Sequence, residues 1–280
     1  MSSAGPTPSP PPQPGTKIVI KPITSVTDIP KLAEISQAAL ENDTMFEFRA
    51  RCGAASIYDI AMEKLTSAVN NPARFSMFKA VAVPVHAAEG DDVVDHDEVI
   101  VGYTQWMLGY LETPKMDPFA PKTPPTSTTF EANITNITTS EKKEKQAGSV
   151  VAALEAVASS GDPSDDSKPY YSNPDEDYSR RMGNAYIKAI RGKRHLCLHR
   201  LIVHPAYQRQ GIGQKLLDWG IETADRENVV SWLFARPAGS RLYERNGWKV
   251  HTTIAFPVLD ENLHVPASMA MLRLPRVKTG

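Results

Sequence analysis

The sequence predicts an α/β domain built on a mixed β-sheet, and three observations carry that prediction. Strand-length runs rich in β-branched and apolar residues alternate with segments whose apolar residues recur at helical spacing. Two of the runs, 195–203 and 229–235, are apolar on both faces, which marks central strands covered on both sides. A glycine-containing turn then joins the first of them to an amphipathic helix.

The elements follow in order. Ile18-Val19-Ile20-Lys21-Pro22 reads as a strand closed by proline. Thr27-Asp28-Ile29-Pro30 is a helix start, with a capping residue and an early proline, and Ile29, Leu32, Ile35 and Ala39 continue it at helical spacing. A second helix is expected over about 56–69, with Ile57, Ile60, Ala61, Leu65 and Ala68 on one face and Asn70-Asn71-Pro72 as its stop. Strands are expected over 74–83 and 98–108. The link between them holds His86 and His96 with Asp91, Asp92, Asp95 and Asp97, but the spacing fits no metal-ligand pattern. It reads as an acidic, solvated loop, and no metal is expected.

From 113 to 170 the periodicity is lost among proline, Ser/Thr and Lys/Glu stretches, with few large hydrophobes to offset the entropy of ordering. A disordered insertion is expected there, within one domain of 16–276, because neither flank holds a full set of elements alone. Residues 1–15 form a Pro-rich tail expected to be disordered. Order returns near 175, where Tyr178, Met182, Tyr186 and Ala189 share a helical face ended by Gly192. After the strand 195–203 comes a helix over 212–227, with Ile212, Leu216, Leu217, Trp219, Ile221 and Ala224 at helical spacing. The strand 229–235, a short helix over 240–246 capped by Gly247, and strands over 248–254 and 269–274 complete the domain.

Bulk composition narrows the function classes. The 23 prolines beside 41% hydrophobic residues imply a core smaller than the 280-residue length. A net charge of -1 gives no electrostatic case for nucleic acid or an anionic membrane as partner. The two cysteines, Cys52 and Cys197, form no secreted disulfide framework, and Cys197 sits in an apolar run where a free thiol packs as a small hydrophobe. The N-terminus has no apolar signal region, and no stretch is long enough to span a bilayer. A reducing compartment, cytoplasmic or nuclear rather than secreted, is therefore expected, and the sequons at Asn133 and Asn136 read as chance.

The turn His204-Pro205-Ala206-Tyr207-Gln208-Arg209-Gln210-Gly211-Ile212-Gly213 carries the chemistry. Its glycines admit a ligand close to the backbone. Its amides lie at a helix N-terminus, where unpaired N–H groups and the dipole favour phosphate, and Arg209 adds a charge-assisted donor. A pyrophosphate-containing ligand follows from these features. A dinucleotide fingerprint is excluded because Leu216 stands where its third glycine belongs, and no Gly-Lys-Ser/Thr of a P-loop is present.

The remaining pattern, Q/R-x-x-G-x-G/A inside LIVHPAYQRQGIGQKLL, resembles the GNAT superfamily of N-acetyltransferases, the acyl-CoA N-acyltransferase fold. A second stretch, Ala238-Gly239-Ser240-Arg241-Leu242-Tyr243-Glu244-Arg245-Asn246-Gly247-Trp248, is similar to that family's later helix motif. The resemblance covers 18–274 apart from the insertion. It implies two central parallel strands that splay apart, and acetyl-CoA as the acyl donor. Backbone groups of Leu201, Ile202 and Val203 would then meet the pantetheine arm, and Gln208, Arg209, Gln210, Gly211, Ile212, Gly213 and Gln214 would hold the pyrophosphate. Tyr243 matches the family's general acid, and His199 is the candidate base, ahead of His195; His204 reads as structural. The implied reaction is direct transfer to an amine of a small molecule or peptide. A non-catalytic acyl-CoA-binding module and an O-acyltransferase stay open as alternatives. The acceptor is expected to meet the segment 40–56 and the late hairpin.

Overall fold

The computed structural model describes residues 16–84, 98–108 and 173–276. The tail 1–15, the acidic loop with His86 and His96, the insertion 113–170 and the two sequons lie outside these residues. Among the described residues no helix is long and apolar enough to cross a membrane.

Seven strands form one sheet in the order β1-β2-β3-β4-β5-β7-β6. They are β1 (Thr16–Pro22), β2 (Phe75–Pro84), β3 (Val99–Met107), β4 (His195–Val203), β5 (Val230–Ala235), β6 (Lys249–Ile254) and β7 (Ser268–Arg273). The doubly apolar runs occupy the centre, β4 between β3 and β5, and β5 between β4 and β7. All neighbouring pairs are antiparallel except β4 and β5. A parallel pair needs a crossover rather than a hairpin, and a helix supplies it. The sheet is therefore mixed, and it takes strands from both sides of 109–172.

Among the described residues six helices cover it: α1 (Ile29–Leu40), α2 (Thr44–Arg51), α3 (Ile57–Val69), α4 (Pro174–Ile190), α5 (Ile212–Arg226) and α6 (Pro237–Arg245). Adjacent strand residues point to opposite faces, so each central strand feeds two cores. On one face Ile29, Leu32, Ala61 and Leu65 of α1 and α3 pack with Met77 and Tyr103. On that face too, Tyr178, Tyr186 and Ile190 of α4 pack with Met107, Cys197 and Trp232. On the other face Leu217, Ala224 and Tyr243 of α5 and α6 meet Trp106, Leu196, Leu198 and Leu233.

The structure departs from the sequence reading in three places. Residues 44–51, given no element between the two expected helices, form α2, whose start is capped by Asp43 accepting from the Met45 amide at 2.8 Å. Only Phe48 of that helix is buried, so it carries no apolar stripe to announce it. The first helix is preceded by a short 3-10 turn capped by Ser25, while the Asp28 carboxylate makes an ion pair with Lys79 at 2.8 Å instead of capping. Helix α6 begins at Pro237, three residues early, because proline in a first turn has its φ preset and lacks no needed N–H. Both cysteines are free thiols, and burial pushes Cys197 up to about 12.

The height of α5 above the sheet is set at Gly220. A Cβ built there would lie 2.0 Å from Cζ2 of Trp106, which is itself fully buried. Backbone and indole therefore touch directly, and an added methyl has to push the buried Trp106 into a packed core. Gly220→Ala is predicted to destabilise the protein by about 3 kcal/mol, read as a lower denaturation midpoint. An unchanged midpoint would contradict this packing.

Candidate functional site: the fork of strand β4

The parallel ladder between β4 and β5 runs from His195–Val230 to Leu198–Leu233 and stops there, although β4 continues to Val203 and β5 to Ala235. On its other side β4 stays paired with β3 as far as Val203, but the register shifts so that Leu198 faces Trp106, Arg200 faces Gln105, and His199 is passed over. Burial follows the same break: residues 195–198 are buried and 199–203 are partly exposed. The splay implied by the family resemblance is therefore present. Leu201, Ile202 and Val203 line a strand edge without a strand partner among the described residues. Such an edge offers alternating donors and acceptors to an extended ligand.

The turn beyond Val203 is held by its own side chains. His204 Nδ1 accepts from the Ala206 amide at 3.3 Å, which gives His204 the structural role the sequence reading assigned it. The Gln208 side chain donates to the Val203 carbonyl at 3.0 Å. Tyr207, which sequence reasoning passed over, is buried with Ile212 and Leu216 and anchors the turn to the core. Arg209 and Gly211 both adopt left-handed backbone, at φ 64 and 78. Nothing lies within 4 Å of where a Gly211 Cβ would project, so this glycine answers to backbone conformation and leaves the space above it open. The first bonds of α5 come from Gln214 and Lys215 to the Gly211 carbonyl. Among the described residues the amides of 209–213 meet no acceptor, and they stand at the positive end of the helix dipole. Gly213 has a packing role as well: a Cβ there would sit 3.2 Å from Leu242 Cδ2, so its bareness lets α6 approach.

Tyr243 comes to the fork from α6, packed with Leu198, Leu201 and Ala235, and its ring lies against Gly239. Burial holds its phenol well above the ordinary range, so it stays protonated, and its hydroxyl bonds to no described residue. His199 arrives from the opposite face, its ring 6.5 Å from that of Phe75. It keeps some exposed surface, but its Nδ1 is enclosed without a partner. Burial, then the charges of Arg200, Arg74 and Lys64, push His199 down to about 3. His195 is committed elsewhere: Nδ1 lies 2.7 Å from the Lys193 carbonyl and Nε2 2.8 Å from the Tyr186 hydroxyl. That pair of contacts fixes the neutral tautomer with the proton on Nδ1, and burial lowers His195 to about 4.

On the α1–α2 side, Arg236, at the end of β5, pairs with Asp43 at 3.0 Å and donates to the Pro266 carbonyl at 2.8 Å. Arg51 pairs with Asp260 at 2.6 Å, and the rings of Phe48 and Phe256 meet edge-on at 5.2 Å. These contacts bind α2 to the connection between β6 and β7, and they link residues too far apart in sequence to be foreseen. Among the described residues no cluster of three or more His, Cys, Asp or Glu is placed to hold a metal.

The two depressed histidines set a pH dependence. Unfolded, each binds a proton near its ordinary 6.5; folded, His195 does so only near 4 and His199 near 3. Between those values the unfolded chain holds more protons, so stability is complete above about 6.5 and falls as pH drops toward 4. The melting temperature is predicted to fall by roughly 5 °C or more between pH 7 and pH 5, and less steeply in His195→Gln. A flat profile across that window would contradict the buried neutral assignment.

Comparison with known proteins agrees with this geometry. Residues 175–250 match the family model described as an acetyltransferase (GNAT) domain, a span running from α4 through the fork, the turn and Tyr243 into β6. No curated protein matches. Among solved structures, the ribosomal-protein-S18-alanine N-acetyltransferase from Escherichia coli is similar at 15% identity and TM-score 0.44, over 94% of this chain and 97% of that one. The PaiA N-acetyltransferase from Thermoplasma acidophilum, in complex with coenzyme A, is similar at 12% identity and TM-score 0.42, over 92% and 99%. NAA60 from Arabidopsis thaliana is similar at 12% identity and TM-score 0.43, over 93% and 99%. At these scores the structural likenesses carry no weight beside the family match and the forked sheet. Residues 175–250 thus match a GNAT acetyltransferase domain, and the fork between β4 and β5 lies within that matched span.

Proposed function

We propose that the protein transfers the acetyl group of acetyl-CoA directly to an amine of a small molecule or peptide. The observation that carries the reading is the continuity of two unsatisfied surfaces. The edge of β4 at Leu201, Ile202 and Val203, where Gln208 takes only the Val203 carbonyl, leads through the turn into the free amides at the start of α5. An extended, amide-bearing arm ending in a pyrophosphate matches that sequence of groups, with Arg209 beside the turn as a further cation. The free amides of Gln210, Gly211, Ile212 and Gly213 complete the cradle in this reading, framed by Gln208 and Gln214, whose own amides bond to the Pro205 and Gly211 carbonyls.

Bound acetyl-CoA supplies a thioester carbonyl for the amine to attack and a sulfur that needs a proton as it leaves. Tyr243 is assigned as the donor of that proton: its phenol is neutral at every working pH, and its hydroxyl is committed to no described residue. His199 is assigned as the acceptor of the amine's proton, directly or through water. Its ring is neutral at pH 7, so a ring nitrogen is open to accept, and burial makes it a weak base that has to hand the proton on to solvent. The acceptor is placed beside α2 and the β6–β7 connection, where Phe46 is half-buried and the ion pairs of Arg51 and Arg236 hold the walls. A single domain of 16–276 fits this assignment, since all seven strands share one sheet.

Calorimetry with acetyl-CoA and a screen of amine acceptors by free-thiol release test the proposal together. Binding and turnover are expected, with Tyr243→Phe losing about 100-fold in kcat while CoA still binds. No heat of binding would remove the donor assignment. Binding without turnover of any amine would leave a non-catalytic acyl-CoA binder.

A further inference from the structure

A pair of side-chain amides ties the donor turn to the helix that carries Tyr243. Gln214 lies in the first turn of α5, and Asn246 caps the end of α6. Gln214 Nε2 donates to Asn246 Oδ1 at 3.0 Å, and Asn246 Nδ2 donates back to Gln214 Oε1 at 2.8 Å. The second hydrogens of each amide are used as well, by Asp218 Oδ1 at 2.7 Å and the Leu242 carbonyl at 2.9 Å. With all four hydrogens engaged, both amide orientations are fixed, because turning either round would set its oxygen against the Asp218 carboxylate or the Leu242 carbonyl. Beside this ring Gly213 lies against Leu242, so the two segments are in direct contact.

An apolar contact between two helices tolerates sliding, whereas a reciprocal amide pair has one register. Neither helix needs the pair for its own formation: α5 buries Ile212, Leu216 and Leu217, and α6 is closed by its own backbone bonds from Asn246 and Gly247. We propose that Gln214 and Asn246 are positioning residues, whose link sets the Tyr243 hydroxyl at a fixed distance from the turn that holds the donor's pyrophosphate. They act through α6. This rests on the acetyl-CoA reading above and adds how the geometry of that site is maintained.

The test uses the full chain with Asn246→Ala, Gln214→Ala and the double substitution. CoA affinity is measured by calorimetry, turnover by thiol release with the amine found in the screen, and folding by melting temperature. Asn246→Ala is expected to lower kcat about 10- to 100-fold while Kd for CoA changes less than about threefold. Gln214→Ala is expected to lower kcat by a similar factor although it leaves the Asn246–Leu242 cap bond intact, which assigns the loss to the link between helices. The double variant is expected to fall no further than the worse single, since the two residues form one connection. Wild-type kcat in either single variant, losses that multiply in the double, or losses explained wholly by a smaller folded fraction would each overturn the inference. A wild type that binds no CoA, or binds it and turns over no amine, would fail the acetyltransferase reading and this inference with it, before any variant is compared.

Discussion

β4 keeps β3 along its whole length and releases β5 after Leu198, and the rest of the site depends on that divided pairing. A central strand with a bare edge is costly, because its main-chain donors and acceptors lose ladder partners without gaining full access to water. The surroundings hold the fork open nonetheless. Gly220 seats α5 directly on Trp106 on one face, and α1, α3 and α4 close the other. The turn that ends β4 then delivers unpaired amides to the mouth of the same opening. Strand edge and helix N-terminus are two halves of one polar track.

The helices around the track are fixed with unequal strength. At the far end of α5, Arg273 makes two bonds to Asp225, at 2.7 and 2.8 Å, and its Nε donates to the Asn246 carbonyl at 3.0 Å. The Arg273 side chain is only 2% exposed, so removing one partner would strand a buried charge at a cost of about 3–5 kcal/mol. Surface pairs such as Lys31–Glu34, both about half exposed, contribute at most about 1 kcal/mol. Asn246 thus stands where two ties meet, its main chain held by Arg273 and its side chain by Gln214. Burial does the complementary work on the reactive groups. It keeps the Tyr243 phenol protonated and, together with the charges of Arg200, Arg74 and Lys64, the His199 ring neutral at pH 7.

How much of this was legible in the sequence follows from the physics of each feature. The doubly apolar runs of β4 and β5, and the amphipathic period of α5, are local patterns, and they located the sheet centre and the turn to within a residue or two. The turn at 208–213 was legible because the need for left-handed backbone at Gly211 and a helix start leaves a short, contiguous signature. Helix α2 was not, because it buries only Phe48 and depends on Asp43 and long-range ion pairs to Asp175 and Asp260. The contact of Gly213 with Leu242 is tertiary and adds a packing demand that no local pattern announces. The Gln214–Asn246 ring and the commitment of His195 to Tyr186 join residues whose sequence neighbours give no sign of the pairing.

The central claim is that the β4 edge and the start of α5 form one donor site. Amide NMR of the isotopically labelled chain, titrated with CoA, tests it most directly. The account predicts that the largest shift changes fall on 201–203 and 209–214, saturating with a single affinity. Changes centred elsewhere, or none at millimolar CoA, would contradict it.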